Sequence, residues 1–234
     1  MIRAILFDFG QTLVDSADGF RLAEKEAQAK IFSDLGITEW KEFISVYRKV
    51  RMEFHATSNQ SRVAIWTEVY CRFSTLADTQ LIEKWEHDYW EKVKAETTPF
   101  PETERVLENL DTKYQMALIT NTQGQKTTYK HRISLFPQLE KFFKSIIVAG
   151  ESGVPPKPDR TPFLMALKKL GVTSKETVYV GDDWRIDICG ARDAAIRPIW
   201  LQHHLVPRTW PVAETSTPVI TSLDPLLDLE NILF

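Results

Sequence analysis

Short runs of apolar residues, each closed by a polar or glycine-containing turn, recur along the chain at residues 4–9, 116–119, 146–148, 178–180 and 199–201, with 219–220 as a candidate edge strand. Runs without polar alternation are what strands look like when both faces are covered, as in parallel sheets. Helical periodicity lies between most of them, at residues 106–110, 163–170 and 188–195. This alternation predicts an α/β fold, a doubly wound parallel sheet with helices on both faces. In such sheets ligands sit beyond the carboxyl ends of the strands.

Residues 16–98 break the alternation. Phe43, Val46, Tyr47, Val50 and Phe54 share one helical face, as do Trp66, Val69, Tyr70 and Phe73, and then Leu81, Trp85, Tyr89 and Val93. The pattern predicts a helical bundle inserted after the first strand, so the chain divides into a core at 1–15 and 99–234 and a helical cap domain at 16–98. Pro99 and Pro101 mark the return, because residues before proline are pushed out of helical geometry. The aromatic stripe is expected to be bundle core. Arg48, Arg51, Arg62 and His55, flanking the polar stretch 57–61, read as a solvated helix face.

With 234 residues, 43% of them hydrophobic, the chain is long enough for a substantial core plus an accessory unit. Twenty-nine basic against thirty-two acidic residues give a net charge of -3, and no basic run forms a footprint for nucleic acid. Small molecules are the expected partners. The N-terminal apolar run is too short for a signal peptide or a membrane span, which predicts a cytoplasmic protein without a membrane partner. Cys71 and Cys189 are expected to be two buried thiols in helices. The chain is expected to be a monomer or homodimer.

Asp8 ends the first run and precedes Gly10 and Thr12, so its carboxylate should project into the crevice; a turn cap is the competing reading. The second run ends in Thr120-Asn121-Thr122, whose hydroxyl and amide groups suit phosphate oxygens, although a threonine there also serves as a cap. Lys157 lies between Pro156 and Pro158, which stiffen the backbone that carries its ammonium. The fourth run ends in Gly181-Asp182-Asp183-Trp184-Arg185-Ile186-Asp187. Three carboxylates there would repel one another, and a hard divalent cation is the simple remedy. A carboxylate nucleophile, a magnesium ion, a fixed lysine and a hydroxyl donor are what phosphoryl transfer through an aspartyl-phosphate needs.

In order, spacing and strand context these four motifs resemble the haloacid dehalogenase superfamily over nearly the whole chain. The resemblance implies Asp8 as nucleophile, Thr120 as phosphoryl ligand, and Lys157 stabilising nucleophile and phosphate, while Asn121 stays a substrate-binding candidate on its place at the strand end. It implies a Mg2+ site made by Asp8, the Gly10 carbonyl, Asp182 and Asp187, with Asp187 supporting and the role of Asp183 open. It also implies that the helical insertion acts as a cap over a small phosphorylated metabolite.

The first motif departs from the phosphatase pattern of that superfamily. Phosphatases usually carry a second aspartate two residues after the nucleophile as general acid and base, where this chain has Gly10. Losing such a group typically costs about a hundredfold to ten-thousandfold in rate. A leaving group that needs little protonation, such as an acyl or anomeric phosphate, would suit the change. Haloacid dehalogenases also lack that aspartate, but they do not keep the acidic cluster. Phosphonoacetaldehyde hydrolases use a cap lysine, for which Lys25, Lys30, Lys49 and Lys84 are candidates, and a catalytically weak phospho-ligand-binding or regulatory member is the further alternative. Arg185 is expected to pair with Asp183, Trp184 and Trp200 to pack, and His203-His204 to lie in a surface loop.

Overall fold

The computed structural model describes residues 1–57, 59–122, 124, 131–212 and 216–233. The chain forms two compact units, one of Met1–Asp15, Thr98–Asn121 and Arg132–Phe234, the other of Ser16–Thr97 and Thr122–His131. Ser58, within the polar stretch 57–61, lies outside the described residues.

The first unit is built on a six-stranded sheet of β1 (Ala4–Phe7), β4 (Gln115–Asn121), β5 (Ser145–Ala149), β6 (Thr177–Gly181), β7 (Arg197–Leu201) and β8 (Val219–Ile220). Its order is β5-β4-β1-β6-β7-β8 and all pairings are parallel. The apolar runs fill both faces by the two-residue alternation of strands. Ile5, Phe7, Met116, Leu118, Val178 and Val180 join one core cluster, while Ala4, Leu6, Ala117, Ile119 and Tyr179 join the other. Each fully buried aliphatic or phenyl side chain of this kind contributes about 1.5–3 kcal/mol. Helices α5 (Thr103–Asp111) and α9 (Leu229–Leu233) cover the first face, and α7 (Thr161–Leu170) and α8 (Gly190–Asp193) the second. A short α6 (Pro137–Glu140) packs beside α5.

The chain leaves β1 for β4 and β5 on one side and returns to β6 on the other, so the winding reverses at β1. Its carboxyl end is therefore the crevice of the sheet. A two-stranded antiparallel ribbon of β2 (Val14–Asp15) and β3 (Thr98–Pro99) was not foreseen, because two-residue strands carry no periodic signal.

The second unit holds α1 (Ala17–Asp34), α2 (Trp40–Ala56), α3 (Arg62–Arg72) and α4 (Thr79–Ala95) around an aromatic core. Ser61 and Asp78 cap α3 and α4 by accepting from backbone amides. The indole of Trp66 donates to Tyr47 at 2.9 Å and that of Trp90 to Glu86 at 2.6 Å, so buried polar atoms find partners. The face of α4 differs from the expected one: Ile82, Glu86, Tyr89, Trp90 and Val93 are buried, and Leu81 and Trp85 only partly. Glu86 can lie on the buried face because its carboxylate accepts from the Trp90 indole. Cys71 is exposed rather than buried, and Cys189 is half-buried. Among the described residues no helix is long and apolar enough to cross a membrane.

Candidate active site

Asp8 follows β1 directly, and its amide donates to the Val180 carbonyl at 2.9 Å, which continues the ladder toward β6 by one residue. The residue is 8% exposed and stands at the crevice. Lys157 reaches it from the loop after β5. The ammonium, 1% exposed, lies 2.7 Å from Asp8 Oδ1, 2.7 Å from Asp187 Oδ1, and 2.9 Å from both the Ile119 carbonyl and the Tyr179 hydroxyl. Its three protons are thus shared among four acceptors in the interior. Asn121, at the end of β4, fixes the lysine backbone: its amide donates to the Lys157 carbonyl at 3.0 Å and accepts from the Lys157 amide at 2.7 Å. Both ends of Asn121 are engaged in this way, which makes it a positioning residue. Thr120 is buried at the end of the same strand.

The acidic segment is shaped by a π-helical turn over Trp184–Cys189. Asp183, whose role the sequence left open, caps that turn by accepting from the Ile186 amide at 2.8 Å. The Asp183 amide in turn donates to Asp187 Oδ2 at 3.0 Å. With Lys157 and Tyr179 on Oδ1, both oxygens of Asp187 are held by protein donors. Gly181 is required for this approach, since a Cβ there would lie 2.6 Å from the Asp187 side chain. Asp182 receives Thr12 Oγ1 at 3.4 Å and the guanidinium of Arg208 at 2.8 Å. That guanidinium stacks over Trp210, 3.9 Å from its ring centre, and Trp200 donates to the Asp182 carbonyl at 3.0 Å.

Asp8, Asp182 and Asp187 present carboxylate oxygens within 4.8 Å of one another. Burial pushes the Asp8 carboxyl up to about 6; Lys157 opposes the shift and Asp187 adds to it. Burial, then the charges of Asp187 and Asp8, lift Asp182 well above the carboxylate range, against the pull of Arg208. Burial alone would lower Lys157, but Asp187 and Asp8 outweigh it and hold the ammonium above the usual lysine value. Such a set of buried, oxygen-only, mutually repelling carboxylates fits a hard divalent cation. Because the folded Asp8 pKa lies above its unfolded value of 3.8, protonation stabilises the metal-free fold at low pH, and this contribution is lost as pH rises through about 6. Magnesium should therefore raise the melting temperature more at about pH 7.5 than at about pH 5, where protons compete for the same oxygens. Calorimetry at the two pH values checks this; equal shifts would contradict it.

Several side chains behave differently from expectation. In the loop after β7, His204 is exposed as expected but His203 is fully buried: its Nε2 lies 2.9 Å from Glu102, and its ring stacks on Phe100 at 3.6 Å. Arg185 makes no ion pair with Asp183 among the described residues; Arg208 is the cation beside the cluster. Tyr179 and Arg208 were missed, the first because it sits inside an apolar strand, the second because a lone arginine in a loop gives no signal. Trp184 and Trp200 do pack together, 4.8 Å between ring centres. In the helical unit Arg62 is 5% exposed and paired with Glu24, not solvated. Of the four candidate lysines there, Lys25, Lys49 and Lys84 are exposed and Lys30 pairs with Glu26 and Asp88.

Comparison with known proteins agrees with this architecture. The chain is 26% identical to the glyceraldehyde 3-phosphate phosphatase of Methanothermobacter thermautotrophicus over the full length of both. Its fold matches a 2-haloacid dehalogenase from Pseudomonas syringae pv. Tomato with a TM-score of 0.68 at 23% identity, covering all of both chains. The HAD-hydrolase YfnB of Bacillus subtilis, bound to magnesium, also gives 0.68, at 22% identity over 99% of each chain. The family model for haloacid dehalogenase-like hydrolases matches residues 5–201, so this chain belongs to that family and is a hydrolase.

Proposed function

We propose that the protein is a magnesium-dependent phosphatase that removes phosphate from a small phosphorylated metabolite through an aspartyl-phosphate on Asp8. The observation that carries this reading is the buried Lys157 ammonium held between Asp8 and Asp187 beside Asp182. It is supported by the likeness to a phosphatase along the whole chain.

An Asp8 oxygen attacks phosphorus, the bond from phosphorus to the leaving oxygen breaks, and that oxygen departs with the electron pair and takes a proton from solvent water. Water then attacks the phosphoaspartate, releasing inorganic phosphate and restoring the carboxylate. Lys157 keeps the Asp8 carboxylate oriented and offsets charge on the phosphoryl oxygens, and Thr120 offers a hydroxyl to them. Asp8, Asp182 and the Gly10 carbonyl would hold a magnesium ion, with Asp187 orienting Lys157. When bound, the ion supplies charge neutralisation for the transferring group. In this reading the helical unit serves as the cap and the protein is cytoplasmic.

Gly10 has a specific neighbour. A Cβ placed there would lie 3.3 Å from Nη2 of Arg132, a residue 2% exposed whose guanidinium sits 5.6 Å from the Phe9 ring centre. A carboxylate introduced at this position would meet a cation and be held ionised, not free to donate a proton. Gly10→Asp alone is therefore expected to gain less than about tenfold in turnover, and Gly10→Asp with Arg132→Gln to approach the hundredfold that a general acid typically supplies. Phosphate release from a panel of acyl, anomeric and alkyl phosphates, with and without magnesium, tests both statements. Turnover of none of them by the wild type would sink the phosphatase reading. A large gain from Gly10→Asp alone would show that Arg132 does not capture the acid.

A further inference from the structure

The helical unit contains a cleft of about 500 Å³ between α1, α2, α3 and α4, outside every residue assigned above to hydrolysis. Its polar lining is strongly biased in sign. Arg21, Lys25, Arg51 and Arg62 stand against a single carboxylate, Glu24. Glu24 takes Arg51 at 3.0 Å on one oxygen, and on the other it takes Arg62 at 3.6 Å and the Tyr89 hydroxyl at 3.3 Å. One acid thus serves two guanidiniums, while Arg21 turns to Asp18 at 3.1 Å and Lys25 has no ion-pair partner among the described residues.

This arrangement is built. Arg62 is 5% exposed, donates to the Tyr89 hydroxyl and the Gln60 carbonyl at 3.0 Å each, and lies over the Tyr89 ring. Holding a guanidinium in the interior is costly unless its donors are matched. His55 completes the wall, and its Nε2 is buried without a hydrogen-bond partner. Burial, then the charges of Arg62 and Arg51, push His55 down to about 4, so at neutral pH the ring is uncharged in a positive field. Phe20 and Tyr89 add an apolar side.

Excess positive charge around an open cleft with two aromatic residues in its wall is complementary to an anion, and Glu24 already shows that a carboxylate fits between two of the guanidiniums. We infer that this cleft is a binding site for a small organic acid, whose carboxylate is received by Arg51 and Lys25 while its carbon skeleton rests on Phe20 and Tyr89. The anion is a ligand separate from the group that is hydrolysed, because every lining residue of the cleft belongs to the helical unit.

The test is titration of the full-length Asp8→Asn protein with malonate in the presence of EDTA, which removes metal-mediated binding and any turnover. Calorimetry and the imidazole proton shift of His55 are the readouts. Arg51→Gln, at a half-exposed position, is expected to weaken binding about tenfold, with exposed Lys49→Gln leaving it unchanged. Absence of binding, an unmoved His55 signal, or equal effects of the two substitutions would overturn the site. In the active wild type, malonate bound at this separate site is expected to leave KM unchanged; a rise in KM at constant kcat would show competition with substrate and overturn the separate site. Because the titration does not need turnover, it stands or falls apart from the phosphatase reading.

Discussion

Replacing Lys157 by methionine is expected to abolish turnover and to destabilise the metal-free protein by about 3–5 kcal/mol near neutral pH. Methionine has nearly the same length, so the loss is not one of packing. Among the described residues the ammonium is the one cation that touches both Asp8 and Asp187, each at 2.7 Å, and all three groups are buried. Removing it leaves two close carboxylates without a counter-charge in a medium where desolvation is severe. The site has one means of relief: Asp8, already lifted to about 6, takes a proton. The destabilisation should therefore shrink as pH falls from about 8 to about 5, since below its folded pKa the protonated carboxyl no longer repels Asp187. Urea unfolding at the two pH values measures it. A change below about 1 kcal/mol at the higher pH would mean that the ion pairs are not what holds this cluster together.

Asp8→Asn is expected to separate stability from activity. Turnover should fall by at least about ten-thousandfold, because an amide oxygen is a poor nucleophile toward phosphorus. Stability should hold or rise. The substitution removes one of three mutually repelling carboxylates, and an amide oxygen can still accept from Lys157 Nζ. Many natural sites show this opposition, in which charges useful for chemistry are kept against the interest of the fold. Magnesium stabilisation should weaken in the same variant, because one of the oxygens proposed to hold the ion loses its charge. Full activity in Asp8→Asn would place the chemistry elsewhere, while a large loss of stability would show that Asp8 serves the fold first.

Much of the core was legible because its signals are local. The strands are uninterrupted apolar runs, and the polar residues that follow each one fall at the crevice wherever a parallel sheet puts its carboxyl ends. The edge position of β8 followed from its shortness. What stayed hidden depends on contacts distant in sequence. Tyr179 reads as one more strand residue, yet its hydroxyl lies 2.9 Å from Asp187 Oδ1 and 2.9 Å from Lys157 Nζ. His203 meets Glu102, about a hundred positions away, and no spacing rule links such pairs. The π-helical turn that aims Asp187 looks like ordinary helix in its sequence.

The helical unit offered one signal that was misjudged. Arg62 occupies the same stripe as Ile65, Trp66, Val69 and Tyr70, and Glu24 the same stripe as Ala23, Ala27 and Ile31. Charged residues on a buried face need partners, and reading both stripes together would have suggested that these two find each other. Treating the arginines as solvated, on the general behaviour of long side chains, missed the cleft they line.

The measurement that bears most directly on the central claim is acid quenching during steady-state hydrolysis of the best substrate in the panel, followed by proteolysis and peptide mass analysis. The account predicts a phosphoryl adduct on the peptide carrying Asp8, sensitive to hydroxylamine as an acyl phosphate is, dependent on magnesium, and absent in Asp8→Asn. Phosphate release with no adduct under these conditions, or an adduct on any other residue, would contradict it.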